Sequence, residues 1–184
     1  HMGSKVSPME TQQGIAADRV TDWMSQHIDD LAPPLSFELI AGGHSNLTYS
    51  VQDQNGRTFV LRRPPLGHVL ESAHDMGREH KIITALAGLA VPVAETVGLC
   101  KDVAVNDAPF YVMHYVAGPV LHDAEVTAQV PAQERAVLGD NVIDVLAALH
   151  QLDPDQVGLG DLGRKEAYLQ RQLKRWSKHW DATE

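Results

Sequence analysis

The chain has 184 residues, 43% hydrophobic and 21% charged, which suits one domain or a pair of small lobes and excludes disorder or coiled coil as the overall state. Twenty-four acidic residues against fifteen Lys and Arg give a net charge of -9, and this excludes a general nucleic-acid surface because phosphate binding needs concentrated positive charge. There is no run of 18 apolar residues and no apolar secretory segment at the N-terminus, so no membrane role is expected. A single cysteine, Cys100, cannot form an intrachain disulfide; it reads as a small buried hydrophobe in a cytoplasmic protein.

His1-Met2-Gly3-Ser4 looks like a cloning remnant, and residues 1–14 read as that remnant plus a flexible lead. Over residues 15–31 the apolar Val20, Trp23, Ile28 and Leu31 recur at near-helical spacing, and Pro33-Pro34 is expected to end the helix. Strands are predicted at residues 36–41, 47–53 and 58–63. The last two flank Gln54-Asn55-Gly56-Arg57, where Asn-Gly signals a hairpin because both residues tolerate positive φ. A helix over residues 73–87 and strands over 91–100 and 109–116 complete an α+β lobe of five strands and one inserted helix. Gly118-Pro119 marks a boundary. Beyond it Leu138, Val142, Val145 and Leu149 step along one helical face, and a last helix begins near Lys165.

Three segments could carry chemistry. Gly42-Gly43-His44-Ser45-Asn46 joins two strands: glycines let the backbone approach a ligand and the small polar residues offer donors to phosphate, although a simple turn explains the same residues. It is not a Walker loop, since no Gly-Lys-Ser/Thr follows. Arg62 ends one face of the third strand, and Glu79 lies on the inward stripe of the next helix with Ile82, Ile83 and Leu86. A carboxylate on an inward stripe needs a partner, so Glu79 either only neutralises Arg62 or holds it against an anionic ligand. Pro109-Phe110-Tyr111-Val112-Met113-His114-Tyr115-Val116-Ala117-Gly118 is either a buried strand with its linker or a strand that offers main-chain groups to a flat base.

In this order the segments, with Phe59-Val60-Leu61-Arg62-Arg63-Pro64-Pro65 and Arg78-Glu79-His80, resemble the aminoglycoside phosphotransferase and choline-kinase-like family, whose amino lobe is that of the protein kinases. Gly163-Arg164 and Arg171-Gln172-Leu173-Lys174-Arg175-Trp176 resemble more narrowly the kinase-like domains fused to acyl-CoA dehydrogenases. The resemblance implies ATP and Mg²⁺ as cofactors and a small-molecule hydroxyl compound as phosphate acceptor, and the narrower resemblance suggests a hydroxyacyl one. It also implies nucleotide-binding roles for Gly42, Gly43, Ser45 and Asn46 over the phosphates, and for Val60 against adenine. By the same resemblance Arg62 would stand where that family of folds has a phosphate-binding lysine, Glu79 would be its helix partner, and Met113, His114, Tyr115 and Val116 would form the hinge.

Phosphoryl transfer also needs a loop Asp to orient the acceptor and a second Asp to hold Mg²⁺. The family's His-Gly-Asp followed five residues later by Asn is absent here: Asp140 and Asp161 each follow a glycine, but neither has the His or the Asn, and both read as solvated carboxylates. The chain is therefore expected to be an amino-terminal part: a kinase-like amino lobe at residues 15–118 and the first helices of an incomplete carboxy lobe at 119–184. A non-catalytic nucleotide-binding or protein-interaction module is the alternative. Metal-binding His-Glu-x-x-His and hydrolase Gly-x-Ser-x-Gly patterns are absent. The last helix carries Leu169, Leu173, Trp176 and Trp180 on one stripe, with basic residues around it. That stripe is expected either to dock on the helix of residues 131–152 or to pair with another chain.

Overall fold

The computed structural model describes residues 12–41, 46–67, 74–163 and 166–181. The segment 42–45, which holds the predicted glycine-rich loop, lies outside the described residues. Five strands form one antiparallel sheet: β1 (Ser36–Ala41), β2 (Leu47–Gln52), β3 (Thr58–Arg63), β4 (Thr96–Cys100) and β5 (Phe110–His114), in the order β1-β2-β3-β5-β4. The Asn55-Gly56 hairpin pairs β2 with β3 as expected, with Gly56 at φ 80. It is locked by Asp53, whose carboxylate accepts from the amides of Asn55 and Arg57 and from the Arg57 Nε–H. Burial alone would raise the Asp53 carboxyl, but the Arg57 amide and guanidinium outweigh it and hold the group below the usual aspartate range.

The two faces of the sheet are covered differently. On one face Leu47, Tyr49, Val51, Phe59, Leu61, Phe110 and Val112 form the core with Ile15, Leu35 and helix α1 (Ala17–Ser25), which contributes Val20 and Met24. On the other lie Thr48, Val60, Arg62, Tyr111 and Met113, because directly opposed residues in the ladders share a face: Thr48 faces Arg62, Arg62 faces Tyr111 and Val60 faces Met113. Helix α2 (Met76–Leu86) packs on β4 and β5.

Helix α1 is shorter than its apolar spacing suggested. It stops at Ser25, well before Pro33-Pro34: the ladder tightens to three-residue bonds, Gln26 N–H to the Trp23 carbonyl at 3.2 Å and His27 N–H to that of Met24 at 3.0 Å, and His27 Nδ1 also bonds the Trp23 carbonyl at 2.8 Å. Leu31 and Ile28 still pack against the core from the turns that follow. The strand expected at 91–100 forms only from Thr96, and Glu95 before it meets β5 through its carbonyl, which accepts from the His114 amide at 2.8 Å. A four-residue helix that shows no sequence period, α3 (Val103–Asn106), is capped by Asp102, which accepts from the Ala104 amide at 2.9 Å. Cys100 is buried and its thiol is pushed up by that burial, as suits a packing residue.

Residues 12–14, placed by the sequence in a flexible lead, are tied to the sheet. Tyr49 donates its phenol to the Gln13 carbonyl at 2.8 Å, Arg63 Nη1 donates to the Gly14 carbonyl, and the Ala16 amide donates to Asn106 Oδ1 at 2.8 Å. Gly14 has φ 85, and a Cβ there would meet Leu66 Cδ2 at 2.9 Å. Beyond the sheet come α4 (Ala124–Ala128), α5 (Ala132–Gln151) and α6 (Tyr168–Asp181). None of the residues of α5 is buried, and Leu169, Leu173, Trp176 and Trp180 of α6 are exposed, so the expected docking of the last helix on α5 is not formed.

Candidate nucleotide site

Arg62 and Glu79, 17 residues apart in sequence, meet on the sheet face away from the core: Arg62 Nε donates to Glu79 Oε2 at 3.2 Å. Strand alternation carries Arg62 to this face while sending Arg63 to the other, and the first turn of α2 carries Glu79 towards it. The pair is 27% and 31% exposed at its side chains, so it is open to a ligand and worth at most about 1 kcal/mol as an ion pair. Its significance is placement. Arg62 Nη1 donates to Thr48 Oγ1 at 2.9 Å, and Glu79 receives two further donors: Asn46 Nδ2 to Oε1 at 2.5 Å and the Tyr111 phenol to Oε2 at 3.1 Å.

Tyr111, Thr48 and His74 were not singled out in the sequence. Tyr111 lies directly opposite Arg62 across the β3 to β5 ladder, a pairing that bridges nearly fifty residues and has no local signal beyond a phenol in an apolar strand. Burial pushes its phenol well above the usual range; Arg62 opposes that and Glu79 adds to it, so the group stays protonated and acts as a donor. His74 Nδ1 bonds Asn46 Oδ1 at 2.7 Å. The ring of His80 meets that of Tyr111 edge-on, and burial lowers its affinity for a proton.

Val60 and Met113 stand opposite each other beside this cluster, Val60 buried. The chain then leaves β5. His114 donates its amide to the Glu95 carbonyl at 2.8 Å, so its N–H is already committed. Tyr115 and Val116 are exposed, and their main-chain groups make no hydrogen bond among the described residues. The expected site residues that are described thus occupy one face and its exit; Gly42, Gly43 and Ser45 lie outside the described residues. A cavity of about 1390 Å³ lined by Arg63, Met76, His80, Lys81, Leu99 and Pro109 takes in none of Val60, Arg62 or residues 113–116, and meets the cluster only through His74 and His80 at its edge.

Among the described residues no three or more His, Cys, Asp or Glu side chains are gathered as a metal site. Asp161 is exposed, but not merely solvated: Lys81 Nζ bonds its Oδ1 at 2.5 Å, which holds the carboxyl below the usual aspartate range and ties the loop after α5 to α2. Asp140 lies on the exposed surface of α5. No helix among the described residues is long and apolar enough to cross a membrane.

The family model of the phosphotransferase enzyme family matches residues 36–184, from the first strand onward. The chain belongs to the phosphotransferase enzyme family. Its sheet and helices take the kinase-like arrangement seen in a crystal structure of a Ralstonia eutropha protein described as an aminoglycoside phosphotransferase, at TM-score 0.74 and 35% identity over 92% of this chain and 48% of that one. Curated relatives include acyl-CoA dehydrogenase family member 11 of Gallus gallus, 36% identical over 82% of this chain and 19% of the relative. Family member 10 of Mus musculus is 34% identical over 77% of this chain and 13% of the relative. This phosphotransferase-family chain thus spans about a fifth or less of those curated relatives and about half of the Ralstonia protein.

Proposed function

We propose that this chain is the ATP-binding part of a small-molecule phosphotransferase that moves the γ-phosphate of ATP to a hydroxyl group of a small metabolite. The observation that carries the reading is the Arg62 to Glu79 pair at 3.2 Å on the open face of a kinase-like sheet, beside a strand exit whose main chain is unbonded among the described residues. ATP supplies the phosphoryl group and, in ADP, the leaving group. Arg62 provides a fixed cation for the phosphates, anchored by Glu79 and Thr48 so that it is in place before the ligand arrives. Val60 and Met113 offer apolar contact to the base, and the free main chain at Tyr115 and Val116 offers its hydrogen-bonding edge. Gly42, Gly43 and Ser45 are assigned by family resemblance to the phosphate loop.

The acceptor hydroxyl must lose its proton as its oxygen bonds phosphorus, and this chain has no His-Gly-Asp loop to receive it. It is therefore expected to bind nucleotide without turning over, with Mg²⁺ held by ligands that it does not supply. The curated relatives are named as acyl-CoA dehydrogenase family members, and from that resemblance a hydroxyacyl compound is the acceptor to try first. The missing catalytic loop also favours a second reading, a nucleotide-binding module without catalysis. Magnesium-dependent ATP consumption, measured with a panel of hydroxyacyl compounds for this chain and for a polypeptide extended to the Ralstonia length, separates them. Turnover by the extended polypeptide alone is expected. Transfer by the short chain would overturn the division of labour, and no transfer by either, with ATP still bound, would favour the module. Calorimetry of Arg62→Ala should show ATP affinity reduced by roughly tenfold to a hundredfold, the size of a charge-assisted contact of about 1.5 to 3 kcal/mol.

A further inference from the structure

Asn46 was grouped by its position with the phosphate loop, yet both polar ends of its side chain are used inside the protein. The residue is 8% exposed; Nδ2 reaches Glu79 Oε1 at 2.5 Å and Oδ1 meets His74 Nδ1 at 2.7 Å. The orientation of the amide follows from its partners. An ionised carboxylate only accepts, so the NH₂ end must face Glu79, and the oxygen left over requires a proton on His74 Nδ1. The three donors to Glu79 are unevenly shared: Arg62 and Tyr111 both use Oε2, and only Asn46 holds Oε1 among the described residues.

Without Asn46 the carboxylate is free to turn about its last bond, and its released oxygen can draw on a second nitrogen of Arg62. As the site stands, Arg62 spends Nε on Glu79 and Nη1 on Thr48 and its guanidinium also lies within hydrogen-bonding reach of the Tyr111 phenol, while no further bond from Nη2 is formed to the described residues. We propose that Asn46 is a positioning residue: by holding Glu79 Oε1 it keeps Arg62 in one-point contact with the carboxylate and leaves Nη2 for an anionic phosphate. Its bond to His74, two residues before α2, also fastens the start of β2 to the start of that helix. Asn46 acts through Glu79 and touches no nucleotide.

This rests on the nucleotide reading above, and the test separates the two. ATP affinity is measured by calorimetry on the full chain for wild type, Asn46→Ala, Glu79→Gln and the double variant. Asn46→Ala should weaken ATP binding by about tenfold in the wild-type background, the scale of one charge-assisted hydrogen bond, and by no more than about twofold when Glu79 is already Gln. Asn46→Asp, close to isosteric, guards against a folding failure: it sets two carboxylates together and should weaken binding at least as much, with recovery when Glu79→Gln restores a donor to the pair. A spectroscopic readout on the ligand-free chain accompanies it. The Arg62 Nε–H resonance should shift or broaden in Asn46→Ala and in Asn46→Asp. Equal losses in both Glu79 backgrounds, or no loss at all, would overturn the positioning role while leaving nucleotide binding intact. A folded wild-type chain that binds no ATP would overturn the nucleotide reading, and the proposal with it.

Discussion

Arg62 and Arg63 are neighbours in sequence with opposite fates. Arg63 is 6% exposed, and among the described residues its guanidinium bonds only carbonyl groups: Pro64 at 3.1 Å, Asn106 at 3.4 Å, and Gly14. Burial lowers its proton affinity, and Tyr49 and Asp107 partly offset this. A buried cation without a carboxylate bonded to it is sustained by the carbonyls it satisfies, which themselves would be orphaned without it. Arg63→Met should therefore destabilise the fold by about 2 to 4 kcal/mol, read as a lower urea midpoint with unchanged slope. In the folded fraction ATP affinity should stay within about threefold of wild type, since Arg63 lies on the core side. Arg62→Ala should show the reverse pattern, affinity lost and stability nearly kept, because its ion pair is a third exposed. If both variants fell equally in stability and affinity, the two faces would not be functionally separate.

At the scale of elements, α2 joins the site to the sheet and its start is set by Asp75. That carboxylate accepts from the Arg78 amide at 3.0 Å, one residue before Glu79, so the cap fixes the turn from which Glu79 projects. Asp75→Ala should cost about 1 kcal/mol of stability and weaken ATP binding modestly. Asp75→Asn should recover most of both. Thermal melts with calorimetry on the three proteins check this, and an Asn variant as weak as the Ala variant would point to the charge instead of the cap. The N-terminal segment is a second joining element: Gln13, Gly14 and Ala16 close polar groups of Tyr49, Arg63 and Asn106 that the sheet and α3 would otherwise bury unmatched. Even so, Asn106 Nδ2 remains buried without a partner among the described residues.

At the scale of the whole molecule, the sheet lobe has a core and the helices that follow it do not. Leu169, Leu173 and Trp176 line α6 in the open, with Trp180 71% exposed, and α5 likewise exposes Val142, Ile143 and Leu146. Covering one large apolar side chain contributes roughly 1.5 to 3 kcal/mol, so these faces together favour association of the isolated chain. Sedimentation velocity should show mass rising with concentration, and Trp176→Ser/Trp180→Ser should return the chain to a monomer. A wild-type monomer at all concentrations would remove the basis for self-association through α6. Lys81 to Asp161 ties the loop between α5 and α6 to α2, and is therefore expected to persist in either state.

Local chemistry determined much of this protein directly from its sequence. Asn55-Gly56 imposes a hairpin, alternation separates Arg62 from Leu61 and Arg63, and helical spacing aligns Glu79 with the apolar stripe of α2; each depends on neighbours within a few residues, so each is legible without a fold. Features that require distant segments to meet were decided only by the tertiary structure. Arg57 reaching the carbonyls of Asp29 and Asp30 accompanies the early end of α1, β5 brings Tyr111 opposite Arg62, and the N-terminal lead becomes the acceptor for a buried arginine. Asn46 shows the division within one side chain. Its sequence position assigned it to a loop, whereas its hydrogen bonds to Glu79 and His74, 33 and 28 residues away, turn it towards the protein, because a buried amide must satisfy both its ends wherever partners lie.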